Sequence, residues 1–385
     1  MTRRAGQVYA HVGQAFAPQP YDVVVLGAGR MGSLAAHVLM WQRPDLKLLL
    51  LDKGGLPNEE GATILAPGLW TMLDVPEDRR AQADFTRRLI VGELSVEEGG
   101  LGTGGPHDAP TVQRDLVELL SDREDGSVSI NEIAGLPADL IDSTHLSHAR
   151  VHPDALTYSP AALTIRAAQS AVRAGADLML NVEARPTPNG VYLSRLSVAN
   201  THQIIVHETH QLEAGQVIVA AGAAGPSLVE EALGLVTHHS RAYRQLPRLN
   251  VPTNERTPII RACGLTLRPN AGGFTVIPRV HHRDPHGYAP TGGKLSGVPV
   301  GLRRETLEDI LAALDALPAL ATEALELGRS LIDVPAAWLA LPAGGWPMYQ
   351  QLSERHWLLL GGEKADVVGA AVARELAAAL RLTGA

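Results

Sequence analysis

Apolar and polar positions along the chain mark out short buried strands and amphipathic helices. Val23 to Leu26 is an apolar, β-branched run with the length of a buried strand. Ser33 to Arg43 follows with helical spacing and is stopped by Pro44. Leu46 to Leu51 is a second buried strand. Pro76 to Glu98 has a helical pattern with Phe85, Leu89, Ile90 and Leu94 on one face. Thr111 to Leu120 fits a helix or a strand, and Asn131 to Leu140 a short helix. Ala161 to Ala174 is helical, with Ser159-Pro160 at its start and Gly175 past its end. Asp177 to Val182, Gly190 to Val198 and His202 to Thr209 read as strands, the last two as a small meander, and Gln216 to Val219 as another buried strand. Pro258 to Pro278 reads as paired strands around the turn Asn270 to Gly273. Gly301 to Leu327 holds one or two helices, Asp333 to Leu341 a strand, Arg355 to Leu360 a short apolar strand and Val367 to Leu382 the final helix. The residues before Tyr21 form a loose extension or a short added strand.

Chemistry first enters between the first two strands. Gly27, Gly29 and Gly32 stand at GxGxxG spacing between the strand and the helix, and Asp52 ends the next strand. Gly27 permits the tight turn, Gly29 lets the backbone approach a pyrophosphate, and Gly32 lets the helix lie close to the sheet. The helix N-terminus offers free N–H groups to phosphate. Asp52 can accept hydrogen bonds from both hydroxyls of an adenosine ribose, which argues for NAD or FAD over NADP. The motif alone does not choose between those two.

Composition narrows the class. The 385 residues suffice for two domains, and 45% hydrophobic content allows a full core. A net charge of -8 gives no basic footprint for nucleic acid or an acidic membrane. The one cysteine, Cys263, excludes an internal disulfide and suits a reducing compartment, hence a cytoplasmic location. No apolar run reaches the roughly 18 residues of a membrane span, and the first twenty residues lack the apolar segment of a signal peptide.

Two further strands run straight into small residues. Gln216 to Val219 enters Ala220-Ala221-Gly222-Ala223-Ala224-Gly225, and Arg355 to Leu360 enters Gly361-Gly362-Glu363-Lys364-Ala365-Asp366 ahead of the last helix. The loop Glu60 to Trp70, containing Thr63, is small and rich in Gly and Pro and suits packing against a flat ligand. With these joins in this order, the chain resembles the FAD-dependent amine and amino-acid oxidoreductases: D-amino-acid oxidase, glycine oxidase, sarcosine oxidase and D-amino-acid dehydrogenase. The resemblance is carried by VVVLGAGRMG, LLLLDKGGLP and GATILAPGLW, then by SPAALTIRAAQSAVRAGADLML and VIVAAGAAGP, with a fair match at Leu265 to Ile277 and over the last thirty residues.

The resemblance implies an α/β fold: a Rossmann-like FAD-binding domain (17–75, 155–235 and 335–385) and an interleaved α+β substrate domain on a mixed sheet (76–154 and 236–334), with 1–16 as extension. It implies FAD, with the nucleotide half on Gly27, Gly29, Arg30, Met31, Gly32, Asp52 and Lys53. Thr63 would lie by the pyrophosphate, Ala184 by the adenine and Ala221 and Gly222 at the strand tip. Gly361, Gly362 and Lys364 would lie at the N1–C2=O edge of the flavin. The implied reaction is oxidation of a C–N bond in a small amine or amino acid by hydride transfer to flavin. Oxygen and a protein electron carrier are both open as acceptors.

The chain departs from that pattern where the substrate carboxylate is usually held. One family position has Asn270 after Pro269, another reads WLALPAGGWP, with Pro342 but no arginine, and the closing loop at Gly361 is short. Arg241, Tyr243, Arg268 and Arg279 are the remaining substrate-side candidates, since an arginine fork holds a carboxylate in two parallel bonds. His281, His282, Asp284 and His286 match no standard zinc spacing and read as a polar loop, and nothing around Cys263 supports a covalent flavin. Two other readings stay open: an NAD-dependent dehydrogenase, and a flavin-binding relative that has lost amine oxidation and serves as a binding protein.

Overall fold

The computed structural model describes residues 5–102, 111–201, 203–237, 239–280, 302–326, 334 and 336–380. The histidine-rich stretch from His281 to His286 lies outside them, as do Gly301, Asp333 and Leu382, the ends of three expected elements.

The strand Tyr21–Leu26 lies at the centre of the first sheet. Val23, Val24 and Val25 have no exposed surface, because neighbouring layers cover both faces. Such a strand needs an apolar residue at every position, so it shows a continuous run and no alternation. It pairs in parallel with Leu48–Leu51 on one side and with the end of Ile204–Val219 on the other. Asp177–Met179 and Val8–Tyr9 extend one edge. His356–Leu360 extends the other in parallel, followed by Met348–Gln351 in antiparallel sense.

Among the described residues there are six α-helices: α1 (Arg30–Gln42), α2 (Arg80–Val91), α3 (Pro160–Arg173), α4 (Gly225–Leu233), α5 (Arg304–Leu311) and α6 (Ala365–Ala379). α1, α2, α3 and α6 bury their apolar residues with Val23, Val25, Leu48, Leu50 and Leu359 on one face of the sheet. Val24, Leu26, Leu49, Leu51 and Leu360 on the other face meet the meander residues Val191, Leu193 and Leu212.

The second sheet is mixed. Its order is Leu325–Glu326, Arg248–Leu249, Gly273–Ile277, Leu265–Asn270, Ile259–Ala262, Val112–Leu120, His148–Thr157 and Leu69–Trp70. Only the Ile259–Ala262 pairing with Val112–Leu120 is parallel among the described residues. One face packs Val117, Ile260, Leu267 and Phe274 against α5. Strand alternation puts Ile259 and Arg268 on the other face. A two-stranded ribbon, Ser240–Gln245 with Ala336–Leu341, stands apart from both sheets.

Several expected elements change. Of the expected strand His202 to Thr209, whose first residue lies outside the described residues, Ile204 to Thr209 joins Gln216 to Val219 in one 16-residue strand, Ile204–Val219, shared between the meander and the parallel sheet. It passes so close to the first strand that a Cβ on Gly215 would lie 2.9 Å from the Asp22 carbonyl oxygen. Thr111 to Leu120 resolves as the strand Val112–Leu120 because His148–Thr157 pairs with it. That partner escaped detection because its polar residues break the alternation. The expected strand to Val182 stops at Met179, since Asn181 is left-handed (φ 56°), and Val182–Thr187 starts anew. Asn131 to Leu140 is two short turns rather than a helix, Ile130–Glu132 and Ala138–Leu140, divided around Gly135 (φ 81°). The helix expected to reach Glu98 ends at Val91, where Gly92 (φ 75°) caps it.

Candidate functional site

The glycine turn leads from the first strand to α1. A Cβ on Gly27 would lie 2.5 Å from the Ala220 carbonyl oxygen, and one on Gly32 would lie 1.8 Å from that of Gly27. Both glycines are therefore required by packing before any ligand is considered. Gly29 is the N-cap of α1 and contributes no side chain to cap it. The Arg30 N–H donates to the Thr63 hydroxyl at 3.0 Å. Among the described residues the N–H groups of Met31 and Gly32 have no acceptor. The Thr63 hydroxyl accepts from Arg30 and keeps its own proton to donate. Free amides, a hydroxyl proton and the positive end of a helix thus converge on one spot, an arrangement suited to pyrophosphate.

Asp52 departs from expectation. Its carboxylate accepts the Ala28 N–H at 2.7 Å on one oxygen, and the Gly54 N–H at 3.0 Å and the Asn58 amide at 2.9 Å on the other. Most of its capacity ties the glycine turn to the next loop. A carboxylate has about four acceptor sites, so one hydroxyl can still be taken. Lys53 beside it is exposed. Ala184 is paired with Leu193 and packs beside the core on the meander side of the sheet. Ala221 follows the buried strand tip, and Gly222 (φ 54°) has open space where a Cβ would be.

A charged centre lies where α6 begins. A Cβ on Gly361 would come within 3.1 Å of the Met31 side chain, so the start of α6 lies against α1. Met31 thus points its side chain at α6 and leaves only its amide for a ligand. Gly362 (φ 57°) turns the chain, and the Glu363 N–H donates to the Gly345 carbonyl at 2.9 Å. Lys364, the partly buried N-cap, precedes Asp366 in the first turn, where a carboxylate is favoured by the helix dipole. The Arg30 guanidinium forms a buried ion pair with Asp366. The Tyr158 hydroxyl donates to the same carboxylate oxygen at 2.7 Å and lies 3.3 Å from the Arg30 guanidinium. Burial works against the Arg30 charge, but Asp366 and then Tyr158 more than offset it and raise its pKa. Burial, then Asp366, pushes the Tyr158 phenol well up, so it stays a donor.

Two more arginines face this centre. Arg268 donates to the Tyr158 carbonyl at 3.1 Å, and its buried Nε has no partner among the described residues. Arg244 is only 7% exposed and has no hydrogen bond or ion pair among the described residues. Burial lowers the pKa of both, with Asp366 opposing the shift in each.

The other substrate-side candidates do not join them. Arg241 donates to the Ala223 carbonyl, and Tyr243 packs on Trp338 at 5.1 Å beneath Arg303. Alternation places both on the ribbon face opposite Arg244. Arg279 is exposed and lies over the Cys263-Gly264 turn, where a Cβ on Gly264 would be 2.3 Å from its Nε. Sequence reasoning missed Arg244, Tyr158 and Asp366, and named Arg30 only as a contact of the cofactor. The one available signal was an acid in the first turn of a helix whose neighbours are small and apolar.

A three-layer Rossmann core with two adjacent helix N-termini defines a dinucleotide-binding protein, and the free amides, Thr63 and Asp52 suit its pyrophosphate and ribose. The chain belongs to the DAO family of FAD-dependent oxidoreductases, whose model matches residues 22–380. It is an enzyme of that class and takes FAD. The NAD-dependent reading is thereby set aside.

Similar solved structures cover nearly the whole chain at low identity. L-amino acid deaminase from Proteus vulgaris is 14% identical, covers 98% of each chain and has a TM-score of 0.66. Glycine oxidase from Geobacillus kaustophilus is 16% identical, covering 95% of this chain and 96% of its own, at 0.63. L-proline dehydrogenase from P. horikoshii is 18% identical with the same coverage and TM-score. Among curated proteins, none matches the sequence. Among the described residues no helix is long and apolar enough to cross a membrane.

Proposed function

We propose that the enzyme oxidises the C–N bond of a small amino or imino acid, working in the cytoplasm. When bound, FAD supplies the two-electron acceptor for a hydride leaving the carbon next to nitrogen. The chain's own part is to bind, orient and exclude water. The amides of Gly29, Met31 and Gly32 and the hydroxyl of Thr63 hold the pyrophosphate, and Asp52 takes one ribose hydroxyl. Gly361, Gly362 and the start of α6, with Lys364, give the flavin's N1–C2=O edge a positive surround. Arg30, tied to Asp366 and Tyr158, fixes the two helix N-termini relative to each other. In this reading 17–75, 155–235 and 335–385 bind FAD, and 76–154 with 236–334 cover the substrate.

The observation that carries the reading is the meeting of the α1 and α6 N-termini through a buried Arg30–Asp366 pair. The names of the similar structures, which act on L-amino acids, glycine and L-proline, support an amino-acid substrate. The test is the visible spectrum of the purified protein, before and after adding amines and D- and L-amino acids without oxygen. Flavin bands that bleach with one substrate class are the expected result. A colourless preparation, or a bound flavin that no amine bleaches, overturns the reading.

A further inference from the structure

We infer that the buried Asp366–Arg30 pair sets the midpoint potential of the bound flavin. The two act as opposed positioning charges: the carboxylate lowers the potential and the guanidinium raises it back. This rests on the proposed seat of the flavin edge at the start of α6, and not on the amine chemistry.

Holding two helices together does not by itself call for a charged pair. The glycine turn needs glycine at Gly27 and Gly32, where a Cβ would strike backbone, but nothing in that packing needs a cation at Arg30. The neighbours on α6 are small and apolar: Ala365, Val367, Val368 and Ala371 share one core cluster with Met31 and Leu34 of α1. Helices lined in this way can join through hydrocarbon alone. An apolar pair of similar volume is often as stable as a buried ion pair, or more so. The chain nevertheless buries both charges, leaving Arg30 9% and Asp366 4% exposed.

Part of the carboxylate stays unused. Arg30 and Tyr158 both donate to Asp366 Oδ1, and Oδ2 has no hydrogen bond among the described residues. Asp366 lies in the first turn of α6, so its charge cancels part of the positive helix end that the flavin edge would face. Arg30, from the start of α1, puts a positive charge back. The field of the pair reaches past its own contact. Burial is the main cause of the lowered pKa at Arg244 and Arg268, but Asp366 opposes it in both, and Arg30 adds to it at Arg244. A flavin edge at the same helix end feels the same two charges. Electrons added to the ring make it more negative, so a lone carboxylate there disfavours reduction and a lone guanidinium favours it.

The test is a dye-referenced titration of the flavin-loaded protein with dithionite, which needs no substrate. Asp366→Asn removes the charge and keeps an acceptor for Arg30 and Tyr158. Through an effective dielectric of about 20, a unit charge changes an equilibrium about tenfold from roughly 12 Å away. The preference for reduced over oxidised flavin therefore rises about tenfold in Asp366→Asn, an upward displacement of about 30 mV for two electrons. Asp366→Glu keeps the charge and stays near the wild type. Arg30→Met with Asp366→Leu removes both charges and also returns toward the wild type. Flavin retained on gel filtration confirms that the cofactor is seated in each variant. If Asp366→Asn does not hold flavin, Asp366→Ser reads the same rise through a smaller side chain that still accepts a hydrogen bond.

An unchanged potential in Asp366→Asn overturns the inference. So does an equal shift in all the variants, which marks a displaced flavin rather than a lost charge. An enzyme that bleaches with amino acids yet keeps its potential in Asp366→Asn loses only this inference. One that shows the expected shifts but bleaches with no amine loses only the proposed reaction.

Discussion

The glycine turn at α1 and the charged centre at α6 are neighbours built in opposite ways. At the turn the working groups are backbone amides, freed because a helix leaves its first N–H groups without acceptors. Side chains there are reduced to what packing tolerates, as at Gly27 and Gly32. At the centre the working groups are four charged side chains and a neutral phenol, from five separate segments: Arg30, Tyr158, Arg244, Arg268 and Asp366. The contrast separates two ways of holding an anion. A helix end gives a diffuse, fixed field that any phosphate can use, whereas a set of guanidiniums gives a shaped one that must be balanced charge for charge.

The largest effect is expected at the turn. Gly32→Val drives a side chain into the Gly27 carbonyl, where a Cβ alone would stand 1.8 Å away. A loss of about 4 kcal/mol or more is expected, with no recoverable flavin-binding protein. Normal expression and a normal urea midpoint would show that the helix can stand off the sheet.

Breaking the centre comes next. Asp366→Ala leaves Arg30 and Tyr158 buried without their shared acceptor and should cost about 3–5 kcal/mol in urea unfolding. Replacing both partners, Arg30→Met with Asp366→Leu, should recover much of that loss, because the uncompensated charge is gone. If the double variant is no more stable than Asp366→Ala, the pair is not what holds the two helices together.

Asp52→Ala and Thr63→Val sharpen the comparison on the turn side. Asp52→Ala strands the Ala28, Gly54 and Asn58 donors, and a loss of about 1.5–3 kcal/mol is expected, together with weaker flavin retention on gel filtration. Thr63→Val removes one acceptor and one donor and should cost about 1 kcal/mol, mainly as faster flavin loss.

The smallest effect concerns pH. His37 on α1 is buried, its Nδ1 lies 3.0 Å from the Ser170 hydroxyl and its Nε2 lies 2.9 Å from the Gly99 carbonyl. Burial lowers its pKa below the ordinary 6.5. The unfolded chain then binds more protons than the native one as pH falls through 6.5, so this contribution to stability is present above that pH and declines below it. Unfolding midpoints measured from pH 8 to 5 should fall less steeply in His37→Gln. Identical slopes would mean that His37 titrates normally.

The sequence determined the glycine turn, the parallel strands around it and the small-residue joins at Ala221 and Gly361. Each is a local matter: a continuous apolar run, a helix stop, a position where only glycine fits. It also pointed to Arg268, the one expected substrate-side arginine that the fold brings to the centre. Only the tertiary structure decided that Arg244, rather than Arg241 three positions earlier, faces the helix ends, because strand alternation sends one to each side of a ribbon whose partner lies almost a hundred residues away. Likewise, no local pattern links Arg30 to Asp366, whose pairing depends on α1 and α6 being laid side by side across the same sheet.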